Sequence, residues 1–128
     1  MVDNSYYKGF EGEVEVEIYY LDENNKRIGY KLWEGYFENI LSGAFSEKHN
    51  SGGLLESYVS HGGWYDEVPW RVKDITLAIT ELKQFRKENL EPELKNMSQR
   101  LQEIDIKLVK FFENCQKEKR IVYIEYDN

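Results

Sequence analysis

Residues 13–20 read EVEVEIYY, and this alternation constrains the chain more than any other stretch. A period of two puts Val14, Val16, Ile18 and Tyr20 on one face of a strand and Glu13, Glu15, Glu17 and Tyr19 on the other. The first face must be covered and the second left wet, as in a sheet with one layer packed on it. Residues 27–33 repeat the pattern, with Ile28, Tyr30 and Leu32 inward and Arg27, Lys31 and Trp33 outward. The polar stretch LDENNKRI supplies the turn between them.

Parity sets the register of this hairpin. Both inward sets are even-numbered, so the numbers of paired residues must sum to an even value. A two-residue loop of Asn24 and Asn25 gives 49, which opposes inward residues to outward ones. A three-residue loop of Glu23, Asn24 and Asn25 gives 48. The second pairs Ile18 with Tyr30, Val16 with Leu32 and Glu17 with Lys31, and places an asparagine in the left-handed position. On that strand Glu13 and Glu15 have no expected basic neighbour.

From about residue 70 the period becomes helical. Ile75, Ala78, Ile79, Leu82 and Phe85 share one face, so the spacing predicts a helix over 70–88, with Pro69 near its start. Leu94, Met97, Leu101, Ile104, Leu108, Phe111 and Cys115 follow in steps of three and four and predict a long helix over 92–118. This stripe reads as core packed against the sheet rather than as a coiled-coil seam. RIVYIEYDN closes the sequence, and 120–126, apolar on both faces, reads as a strand returning to the hairpin. GYFENILSGAF, residues 35–45, fits either a third strand or a short helix, and LLESYVS fits a strand or one helical turn. SEKHNSGG and HGGWYDEVPW read as loops. The expected architecture is one α+β domain over 1–128, an antiparallel or mixed sheet with two helices on one face.

Composition narrows function mainly by exclusion. The net charge is −7, and it is unevenly placed. Residues 1–68 hold thirteen acidic and five basic side chains, a balance of −8, whereas 69–128 hold eleven and twelve, a balance of +1. A field of that sign repels a phosphate backbone and attracts basic partners, so nucleic acid is an unexpected ligand. The single Cys115 permits no internal disulfide, and its place on the apolar stripe predicts a buried, unreactive thiol. His49 and His61 match no metal-ligand spacing, so no metal or cofactor is expected. No phosphate-binding glycine loop, dinucleotide fingerprint or nucleophile elbow is present, and no catalytic residue is nominated. The opening MVDNSYYKGF lacks the pattern of a secretory signal and no apolar run approaches ~20 residues, so no membrane association and a cytoplasmic location are expected.

Two stretches carry a binding signature. Glu13, Glu15 and Glu17 line a strand face beside Tyr19 and Trp33. In GGWYDEVPW, Trp64, Tyr65 and Trp70 surround Asp66 and Glu67 in a loop freed by two glycines. Aromatic anchors within an acidic rim suit protein recognition. The competing reading makes the glutamates a solvated face that guards against aggregation and the tryptophans a plug for the core.

A small, acidic, aromatic-rich chain with EVEVEIYY and GGWYDEVPW and no catalytic apparatus resembles the bacterial immunity proteins of polymorphic-toxin and contact-dependent growth inhibition systems. The resemblance implies a non-enzymatic inhibitor that occludes the active site of a basic toxin domain such as a nuclease, with the acidic row and the 64–70 loop over its substrate groove. Two other readings are an accessory domain of a phage or mobile element, and a small-molecule module or enzyme with a pocket near Trp64 and Tyr65.

Overall fold

The computed structural model describes residues 1–127. Its elements run β1 (Val2–Tyr6), β2 (Glu15–Leu21), β3 (Arg27–Trp33), α1 (Glu34–Ala44), α2 (Leu54–Ser60), β4 (Trp70–Arg71), α3 (Ile75–Lys83), α4 (Ser98–Lys117) and β5 (Tyr123–Asp127). Short 3-10 turns occupy Gly63–Tyr65, Lys87–Asn89 and Pro92–Met97. The fold is α+β, with a five-stranded mixed sheet in the order β1-β3-β2-β5-β4. The β1–β3 pair is parallel and the other pairs are antiparallel.

The hairpin has the register that parity demands. Val16 faces Leu32, Glu17 faces Lys31 and Ile18 faces Tyr30. The Asp22 N–H donates to the Lys26 carbonyl at 2.9 Å, which encloses Glu23, Asn24 and Asn25, and Asn25 takes the left-handed conformation at φ 59°. The Asp22 side chain locks the turn by accepting from the N–H groups of Asn24 and Lys26. Gly29 lets β3 approach β2 closely, because a Cβ there would collide with the Ile18 carbonyl.

β5 lies beside β2, with Ile18 facing Ile124 and Tyr19 facing Tyr123. Val16, Ile18, Leu32 and Ile124 are fully excluded from solvent on the covered face. α4 lies across that face, where Phe111 meets Tyr20 and Tyr30. Leu101, Ile104, Leu108 and Cys115 of the predicted stripe are buried there, as are Val109 and Phe112. Burial raises the Cys115 thiol to about 11, which keeps it protonated at neutral pH.

Several boundaries differ from the sequence reading, each for a local reason. Residues 34–44 form a helix: Phe37, Ile40, Leu41 and Ala44 share one buried face. LLESYVS is a helix of two turns with Leu54 and Leu55 in the core. The predicted 70–88 helix starts only at Ile75. Trp70 and Arg71 pair with Ile124 and Tyr123, and the Asp74 side chain caps the helix by accepting from the Leu77 N–H at 3.0 Å. Residues 92–97 form a 3-10 turn, and α helix begins at Ser98. β2 begins at Glu15 rather than at 13, and β5 begins at Tyr123 rather than at 120. β1 has no counterpart in the sequence reading. Buried Tyr6 joins it to α4, where its hydroxyl donates to Glu103 at 2.8 Å and its ring lies beneath Arg100 and Lys107.

Candidate protein-binding surface

The outward sheet face is a lattice of compensated charges. Lys31 Nζ lies 3.1 Å from Glu15, and Arg27 bridges Glu17 at 2.9 Å and Glu125 at 3.0 Å. Glu15 therefore has a basic neighbour, contrary to the hairpin reading. The ion pairs run diagonally, whereas the directly opposed residues are Glu17 and Lys31. Glu125 enters the lattice from β5, a contact that the hairpin alone does not reveal. The hydrogen bond to Glu17 raises the Arg27 pKa above its already high value, and that to Glu15 does the same for Lys31. Exposed pairs of this kind contribute about 0–1 kcal/mol each.

The aromatic residues of this face are mostly covered. Tyr19 is only 3% exposed: Arg27 sits 4.2 Å above its ring, Tyr123 stacks beside it, and its hydroxyl donates to Glu125 at 2.7 Å. Burial, and then the hydrogen bond to Glu125, hold the Tyr19 hydroxyl above the ordinary phenol range. Phe10 stacks on Trp33 at 4.3 Å with the rings nearly parallel, and Tyr36 closes its edge. Glu13 lies before the strand, exposed, in the turn whose backbone accepts the Tyr7 hydroxyl.

The 64–70 loop divides into a buried and an exposed part. Trp64 is fully buried against Phe37, and Trp70 is 3% exposed. Their indoles belong to the core, which agrees with the core-plug alternative for both. Tyr65 is half-buried with its hydroxyl inside and no hydrogen-bond partner; burial and the nearby Glu38 charge raise its pKa. Asp66 and Glu67 are exposed.

What the structure adds is where these pieces meet. β2 starts, β3 ends and β5 ends at one edge of the sheet, with Glu15 opposite both Trp33 and Asp127. Tyr65 packs against Tyr126 of that edge. The loop that leads to Asp66 and Glu67 is thereby anchored at the end of the sheet where Glu15 faces Asp127, and Glu67 shares a cleft with Glu56 and Lys73. Lys31 is bound to Glu15, and Lys73 is the basic residue that shares the cleft with Glu67. The opposite end carries the Asp22–Lys26 turn and Arg120, which pairs with Glu23 and Glu118.

Two carboxylates are buried elsewhere. Glu81 of α3 is 1% exposed and caps α2 by accepting from the N–H groups of Leu54 and Leu55, at 2.6 and 3.3 Å. Asp105 of α4 is 4% exposed with Oδ1 unpartnered, and burial pushes its pKa up to about 7, opposed by the charge of Arg86. Neither residue is among those singled out from the sequence. The signal available was position: Glu81 and Asp105 sit beside Leu82 and Ile104 in the stripes. Among the described residues no cluster of three or more His, Cys, Asp or Glu side chains is arranged to hold a metal, and no helix is long and apolar enough to cross a membrane.

This geometry defines an α+β protein with one covered and one charged sheet face and a sheet end that gathers carboxylates. No family model matches the sequence, and neither a curated protein nor a solved structure matches the chain.

Proposed function

We propose that this chain is an immunity-type inhibitor that binds a basic toxin domain, such as a nuclease, and covers its active site without catalysing a reaction. The observation that supports the reading is that the loop bearing exposed Asp66 and Glu67 is anchored, through Tyr65 and Tyr126, at the sheet end where Glu15 faces Asp127. Carboxylates held on a rigid scaffold offer a basic groove the charge it has evolved to meet in phosphate. The lattice on the outer face contributes little net attraction, since Lys31 and Arg27 already satisfy Glu15 and Glu17. The contact set is thereby narrowed to Glu13, Asp66, Glu67 and the rim around Tyr65.

The test is association with a basic toxin domain encoded beside this chain. Binding that accelerates at low salt and slows when Glu13 and Asp66 are reversed to lysine supports the reading. Binding indifferent to both salt and reversal removes it.

A further inference from the structure

We propose that the cleft between α3 and α4, with the buried Asp105 in its wall, is a binding site for a small primary alkylammonium ligand. The proposal is independent of the inhibitor reading, because the cleft lies on the helical layer and shares no residue with the contact set named above. The cleft has a volume of about 290 Å³. That is just below the roughly 300–1,000 Å³ of sites that enclose larger ligands, and it suits a molecule of a few heavy atoms.

Helical spacing builds the wall. Gln102, Ile106, Val109 and Glu113 recur in steps of four, three and four, so they share one face of α4. Asp105 lies at the border of that face with the core stripe of Leu101, Leu108 and Phe112, three residues after Gln102 and four before Val109. Its side chain therefore enters the wall between theirs and below the rim. Lys83, the last residue of α3, lines the cleft from the other helix, and its Nζ lies 3.0 Å from Glu113. That ion pair neutralises one end of the cleft and leaves Asp105 as the acidic group of the wall without an ion pair among the described residues.

Asp105 supplies the second observation. It is 4% exposed, it forms part of the lining, and its Oδ1 accepts no hydrogen bond. A buried carboxyl in that state is costly, and a donor placed against it offsets the cost. The charged groups around it are Arg86 just beyond α3, Lys83 on α3, and Lys110 and Glu113 on α4. Arg86 is turned to the end of α3, where its Nη1 donates to the carbonyls of Lys83 and Phe85 at 3.0 and 2.9 Å. Lys110 is exposed and keeps its ammonium in water.

These surroundings select an ammonium on a slender apolar stem. A carboxyl recessed beside Ile106 and Val109 is reached by a compact head more readily than by a planar guanidinium. Ile106, 46% exposed at the rim, and Val109 give the stem apolar contact. Gln102, one turn before Asp105 on the same face, adds an amide carbonyl that can accept a second N–H.

The probe is n-butylammonium, titrated into the isotope-labelled full chain at pH 8, with n-butanol as its neutral counterpart of the same length. The ammonium probe is expected to shift the amide signals of Asp105, Ile106 and Val109, with n-butanol at least fivefold weaker. Occupancy needs the carboxylate form, and burial holds the Asp105 proton up to about pH 7. The apparent affinity should therefore rise about tenfold from pH 6 to pH 8. Asp105→Asn keeps the shape of the wall and is expected to lose both the ammonium preference and the pH dependence. The probe pair and the pH series are read on the parent chain, so the test stands without the variant. Equal shifts from the two probes, an affinity flat between pH 6 and pH 8, a preference that survives in Asp105→Asn, or no shift at tens of millimolar probe overturns the proposal.

Discussion

The rings of Tyr65 and Tyr126 meet edge to face with 5.1 Å between their centroids. One comes from the Gly63–Tyr65 turn and the other from the last strand, so this contact joins two segments about sixty residues apart. Tyr126 also faces Val16, the residue after Glu15. Through these packing contacts the loop that leads to Asp66 and Glu67 is anchored to the end of the sheet at which β2 starts.

Trp64 shows which aromatic residues serve the core. It is fully buried against Phe37 and Tyr65. Trp64→Ala should destabilise the chain by about 3–5 kcal/mol, read by denaturant unfolding. Any binding lost in that variant reflects lost folding. Asp66→Ala, at an exposed position two residues on, should leave stability within about 0.5 kcal/mol of the parent.

The charge lattice predicts unequal effects from similar reversals. Glu15→Lys sets a like charge against Lys31 and should cost about 0.5–1 kcal/mol, lowering the Tm by about 2–5 °C. Glu13→Lys, with no ion pair among the described residues, should shift the Tm by under about 2 °C. Equal losses at the two positions would contradict the diagonal pairing.

Much of the sheet was legible because β2 and β3 obey a period of two, and parity then fixes their register without further information. The alternation cannot show which cation each carboxylate meets, since Arg27 reaches Glu17 and Glu125 across strands 98 residues apart in sequence. The stripe of α4 was equally legible, except that Asp105 lies within it. The segment 34–68 resisted because Tyr36 and Phe37 favour strands while Phe37, Ile40, Leu41 and Ala44 have helical spacing. Tertiary packing decides in favour of the helix: Gly43 sits so close to Phe85 that a side chain there would clash with the ring. Of the site, the acidic and aromatic residues were visible as a set, and their division into core and surface was not.

Asp105 predicts a pH dependence with a definite sign. Burial raises its folded pKa to about 7, well above the ordinary aspartate range, so the folded state holds the proton more tightly. Its contribution is therefore fully present below about pH 4 and is lost as pH rises through 7. The shift corresponds to roughly 4 kcal/mol between those limits. In Asp105→Asn this dependence disappears, so the variant should gain on the parent as pH rises from 5 to 8. Parallel stability curves for the two proteins, from chemical unfolding across that range, would contradict it.

We propose that the sheet end at which Glu13 precedes β2, with the loop bearing Asp66, meets a basic protein. The most direct measurement is the stopped-flow association rate of the parent and of the Glu13→Lys, Asp66→Lys variant with a basic toxin domain encoded beside this chain, over a range of salt. The expected rate falls steeply with ionic strength in the parent, and the variant is at least tenfold slower at low salt and converges on the parent at high salt. Equal rates and equal salt slopes for the two proteins would contradict it.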